Sequence, residues 1–133
     1  MDFGLLFGEC IEALGNEVTI FSNEKSNELY DSFQNQVPFT PFTRVDWSKI
    51  NHHHLISDLS EVASLLNQEF VEVYWSYGNY PVIKTNFQNV INAFDDLITV
   101  SSDTYLYVPM KYVIEVYHDG EKTIGYLLTS LLH

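Results

Sequence analysis

Asp119-Gly120 lies between two runs of strand-forming residues, Tyr112 to His118 and Glu121 to Leu128, and gives the chain its strongest local folding instruction. A type I′ turn needs positive φ at both central residues, a demand that Asp-Gly meets, so this spacing predicts an antiparallel C-terminal β-hairpin. A further run, Ile98 to Val108, is interrupted at Ser101-Ser102-Asp103. Another, Glu69 to Tyr77, is rich in Val, Tyr and Trp and stops at Gly78-Asn79. The short β-branched segment Val18 to Phe21 adds an extended piece, and Arg44 to Trp47 reads as an edge strand.

Helical periodicity supplies the other layer. Phe3, Leu6, Phe7, Cys10, Ile11 and Leu14 recur at three- and four-residue spacing from Asp2 to Leu14, and Gly15-Asn16 ends that helix. A second helix is expected from Asn23 to Asn35, with Leu29, Tyr30 and Phe33 on its apolar stripe and Glu24, Glu28 and Asp31 on another face. Pro38 and Pro41 forbid its continuation, so Val37 to Thr43 reads as an extended connection. A third helix runs from Asp58 to Asn67 with Ser57 as N-cap. A fourth, capped by Thr85, runs from Asn86 to Asp95 and buries Phe87, Val90, Ile91 and Phe94. The pattern predicts an α+β fold, one domain over residues 1–133, with about four helices on one face of a mainly antiparallel sheet.

Charge narrows the partners. Eighteen Asp and Glu against six Lys and Arg give a formal charge of -12. That balance opposes direct binding to nucleic-acid phosphates or to an anionic membrane, and favours a protein partner with a basic surface. No apolar run approaches the roughly 20 residues that span a bilayer, and Met1-Asp2-Phe3 lacks a positive leader region, so cytoplasmic residence is expected. Cys10 is the single cysteine and falls in an apolar pattern, which predicts a buried small hydrophobe and no intrachain disulfide.

No phosphate-binding, dinucleotide-binding, nucleophile-elbow or zinc-protease motif is present, so no cofactor and no catalytic residue is expected. His52-His53-His54 offers three imidazoles in what reads as an internal loop, but consecutive side chains diverge and no second ligand cluster stands at a metal-site spacing. Asp95-Asp96 is placed at the C-terminus of the fourth helix, where the helix dipole disfavours carboxylates by about 0.3–1 kcal/mol each. The ridge of Glu24, Glu28 and Asp31 also carries like-charge repulsion. Both groups are therefore candidates for an interface.

The stretch Val100-Ser101-Ser102-Asp103-Thr104-Tyr105, followed by Val113-Ile114-Glu115-Val116-Tyr117-His118-Asp119-Gly120-Glu121 and Ile124-Gly125, resembles immunity proteins of bacterial polymorphic-toxin systems, including contact-dependent growth inhibition. The resemblance implies a bacterial cytoplasmic protein, monomeric or weakly dimeric, that binds one cognate toxin domain, commonly a cationic nuclease, and blocks its active site or substrate channel. Candidate contacts are Glu24, Glu28, Asp31, Asp95 and Asp96, with Tyr30 or Trp47 as aromatic anchors. Two other readings stay open: a small enzyme or ligand-binding domain whose pocket is lined by sheet aromatics, and a nucleic-acid-mimicking inhibitor of another basic protein.

Overall fold

The computed structural model describes residues 3–76 and 78–127. In chain order these form α1 (Leu5–Leu14), β1 (Thr19–Ile20), α2 (Asn23–Gln36), a 3-10 turn (Trp47–Lys49), β2 (His53–Ile56) and a second 3-10 turn (Leu59–Val62) leading into α3 (Ala63–Leu66). There follow β3 (Phe70–Trp75), β4 (Ile83–Asn86), α4 (Phe87–Asn92), α5 (Phe94–Ile98), β5 (Thr104–Val108), β6 (Tyr112–Val116) and β7 (Lys122–Tyr126). The strands make one antiparallel sheet in the order β1-β4-β3-β5-β6-β7-β2. Asp2, Tyr77 and Leu128, predicted ends of three elements, lie outside the described residues.

An α+β fold with helices against an antiparallel sheet is what forms, but the helices cover both faces rather than one. Side chains alternate along a strand, so Val71, Val73 and Trp75 of β3 share a face with Leu106 of β5 and Ile114 of β6. That face packs beneath α1, α3, α4 and α5 through Phe7, Cys10, Leu66, Phe87 and Leu97. On the opposite face Tyr74, Tyr105, Tyr107 and Val113 pack against Phe33 of α2 and against Val37, Val45 and Ile50 from the connection that follows it. All five residues of β5 and of β6 are buried, which requires cover on both sides.

Six local expectations are corrected. The hairpin forms at Asp119-Gly120, with Val116 opposite Lys122, but only Gly120 has positive φ, at 95°. The Gly120 N–H bonds to the Tyr117 carbonyl at 2.9 Å, and the Tyr117 N–H to the Glu121 carbonyl at 2.9 Å. This is the longer hairpin loop that uses glycine in the left-handed region to form a bulge, in place of the two-residue type I′ turn. The predicted fourth helix is two: Ala93, at φ -109° and ψ 22°, breaks it, and α5 restarts at Phe94. Its cap is Asn86, whose side chain accepts the Asn89 N–H at 2.8 Å, while Thr85 stays buried in β4. Arg44 to Trp47 contributes one isolated bridge, Phe39 to Val45, and a 3-10 turn in place of an edge strand.

The remaining two differences concern caps and edges. Ser57 does not cap a helix; its N–H donates to Glu61 Oε1 at 2.9 Å ahead of the 3-10 turn. The histidine run enters the terminal strand β2, so His53 and His54 are edge-strand residues and not loop residues.

Candidate functional site

α2 begins where Ser22 Oγ accepts the Lys25 N–H at 3.1 Å and ends at Val37, ahead of Pro38. Ser26 and Phe33 are buried against the sheet, with Leu29 and Tyr30 half-buried beside them. Residues three and four apart share a helix face, so Glu24, Glu28 and Asp31 fall together on the side turned to solvent, and all three are exposed. Glu24 lies in the first turn, where the helix dipole favours a carboxylate. Lys25 Nζ is 3.8 Å from Glu28 Oε2, but both groups are exposed and such a pair contributes little. The ridge therefore keeps a net negative field.

Beside this ridge runs a groove of about 1100 Å³ between α2, the loop following it and the end of β3. Its helix wall is a second periodic stripe: Asn23, Ser26, Asn27, Tyr30, Asp31 and Gln34. Asp31 belongs to both stripes, and it is the one charged residue among the described residues lining the groove. The buried rings of Phe33, Tyr74 and Tyr105 form the floor. Tyr30 is tied into the wall. Its hydroxyl donates to the Trp75 carbonyl at 3.1 Å and accepts the Trp75 N–H at 3.2 Å, satisfying the backbone where β3 ends. Burial raises the Tyr30 pKa, so its hydroxyl stays protonated.

The opposite wall is a loop anchored by a buried carboxylate. Glu115, 1% exposed in the middle of β6, accepts from Arg44 Nη2 at 2.8 Å, from the Val45 N–H at 2.8 Å and from Trp47 Nε1 at 3.3 Å. Burial works against the Arg44 charge, yet hydrogen bonds and charge from Glu115 and Glu121 outweigh it and raise the Arg44 pKa. The Arg44 guanidinium also stacks 3.8 Å over the Tyr117 ring. Ahead of this anchor the chain turns tightly: the Thr40 N–H bonds to the Arg44 carbonyl at 2.7 Å, the Thr43 N–H to the Thr40 carbonyl at 3.2 Å, and the Tyr105 hydroxyl to the Thr43 carbonyl. Phe42 stands at the tip of that turn, 84% exposed.

The residues singled out from the sequence do not form one patch. Glu24, Glu28, Asp31 and Tyr30 are brought together on α2. Asp95 and Asp96 lie on α5, in the layer across the sheet, and sit in the first turn of that helix. The dipole argument for them is thus reversed: their position is favourable to a carboxylate, because the helix restarts at Phe94. Trp47 is half-buried, donates to Glu115 and stacks on His53 with ring centroids 5.3 Å apart. A Cβ on Gly125 would meet Trp47 Cζ3 at 2.7 Å, so the indole occupies a notch that only glycine leaves open. No group of three metal-ligating side chains converges among the described residues. None of their helices is long and apolar enough to cross a membrane.

Sequence reasoning missed Phe42 and Glu115. Phe42 carried a signal, an aromatic in a proline-bounded segment without apolar periodicity. Glu115 carried a weaker one, a carboxylate inside the apolar run Tyr112 to Val116, but its partners Arg44 and Trp47 are too distant in sequence to be inferred.

Residues 4–125 of the chain match the family described as CdiI immunity protein EcoliA0-like. No curated protein matches the chain at a significant level. A match over nearly the whole length shows the family, and the chain belongs to it.

Proposed function

We propose that this member of the CdiI immunity family neutralises its cognate toxin by stoichiometric binding in the bacterial cytoplasm, presenting the exposed carboxylates of α2 to a basic surface on the toxin. The observation that carries this reading is the ridge of Glu24, Glu28 and Asp31, exposed along one helix face with Lys25 as its near counter-charge. A cationic nuclease is the toxin class that fits: its substrate-binding surface must attract phosphates, and the same field attracts this ridge. Occupying that surface closes the active site or substrate channel without any catalytic step. Because Asp95 and Asp96 stand in the opposite layer, one flat contact does not include both acidic groups, and α2 is the primary face.

The test is growth protection together with complex formation. Co-expression of the chain with the toxin domain encoded by the adjoining gene is expected to restore growth, and the purified pair to elute as a one-to-one complex. Restored growth without a complex would argue for an enzymatic or indirect route, and failure of both would remove the immunity reading.

A further inference from the structure

Resting on that reading, we propose that the groove between α2 and the 39–43 loop seats a basic segment of the toxin, with an arginine or lysine side chain held beside Asp31 and Phe42 packing on the apolar surface next to it. Three independent features converge on that occupant. The first is charge: Asp31 enters the groove from the acidic ridge, Glu28 stands one turn away, and no lysine or arginine occurs among the described lining residues. A cation entering there meets a net negative field, which Lys25 beside Glu28 offsets only in part. The second is the chemistry of the walls. Asn23, Asn27, Gln34 and Asn79 offer amide oxygens to a guanidinium or ammonium, the half-buried Tyr80 borders them, and the buried Tyr74 and Tyr105 rings close the floor beneath.

The third feature is size and presentation. The lining of the groove, about 1100 Å³, follows α2 from Asn23 to Gln34, about three turns of helix, which suits an extended length of polypeptide. Phe42 does not itself line the groove, but it lies in the turn whose Thr40 and Thr43 do; it is the most exposed aromatic of the described residues and has no core role. The turn that carries it is fixed by the Thr40–Arg44 hydrogen bonds and by the Glu115 anchor behind it. A large apolar side chain carried on a hydrogen-bonded turn needs less backbone ordering on binding than one on a free loop, which suits an interface anchor.

The experiment is calorimetric titration of full-length variants against the toxin domain encoded by the adjoining gene, with growth protection read in parallel. Asn27 and Phe42 are exposed, so Asn27→Arg, Asn27→Asp and Phe42→Ala are expected to fold, which their unchanged unfolding midpoints would show. Asn27→Arg is expected to loosen the complex at least about tenfold and Phe42→Ala by about tenfold or more. Asn27→Asp should bind as tightly as the original chain or more tightly. Glu9→Gln, on α1 across the sheet, makes the same unit charge change as Asn27→Arg and should have no effect. If wild type binds and protects but Asn27→Arg and Phe42→Ala bind equally well, the groove is not the seat and the immunity reading stands. If Asn27→Asp loosens the complex as much as Asn27→Arg, the occupant is not basic. Wild type that neither binds nor protects overturns both.

Discussion

A carboxylate 1% exposed within an apolar strand must be compensated, and Glu115 is compensated by groups that all come from the segment after α2. The consequence is that one residue fixes a whole loop. Glu115→Ala strips the Val45 N–H and Trp47 Nε1 of their acceptor and leaves Arg44 facing only Glu121. Its cost is expected to be about 2–3 kcal/mol, below that of a fully buried pair because the Arg44 side chain is 33% exposed. A drop in the urea midpoint at unchanged slope checks this, and Glu115→Gln, which keeps an acceptor for Val45, should lose less. Cys10 yields a pH prediction. Burial, with a smaller contribution from Asp96, pushes its thiol from 9.0 up to about 12. The unfolded chain then releases this proton first, so between about pH 9 and 12 the native state holds more protons and stability falls as pH rises. The fall is at most about 1.4 kcal/mol per pH unit, and there is none below about pH 8. Unfolding midpoints measured from pH 7 to 10 should show the decline above pH 9 and a flatter profile in Cys10→Ala.

At the scale of elements, periodicity and turn chemistry were legible where they act locally. α1 and α2 form within a few residues of where their apolar spacing and stop signals put them, and Asp119-Gly120 does reverse the chain. What could not be read depended on distant packing. Whether residues 86–98 form one helix or two turns on the backbone at Ala93, and that break alone decides whether Asp95 and Asp96 end one helix or start another. β4 was missed because Ile83–Asn86 is four residues long and owes its strand state to pairing with β3. The candidate site was half legible for the same reason. The Glu24, Glu28 and Asp31 stripe follows from helical spacing, as does the adjoining Asn and Tyr stripe, but the groove exists only because a loop held by Glu115 stands opposite. Tyr30 and Trp47 were legible as aromatics without their hydrogen-bonded roles.

Across the whole molecule the chain carries a net charge of -12, and its two helical layers are separated by a sheet whose central strands are buried on both sides. Bulk charge alone keeps such a chain soluble and does not select a partner. The α2 layer differs in placing three exposed carboxylates beside an aromatic-floored groove and an anchored, exposed phenylalanine. Charge that steers encounter acts on the association rate and is screened by salt over about 10 Å at 0.1 M, whereas apolar contacts act mainly on dissociation. The most direct measurement is therefore the association rate with the toxin domain as a function of salt, for wild type and for the triple reversal Glu24→Lys, Glu28→Lys, Asp31→Lys. The account predicts a wild-type rate that falls steeply with salt, and a triple variant that associates at least about tenfold more slowly at low salt with a much flatter salt dependence. Superimposable rates for the two proteins at every salt concentration would contradict it.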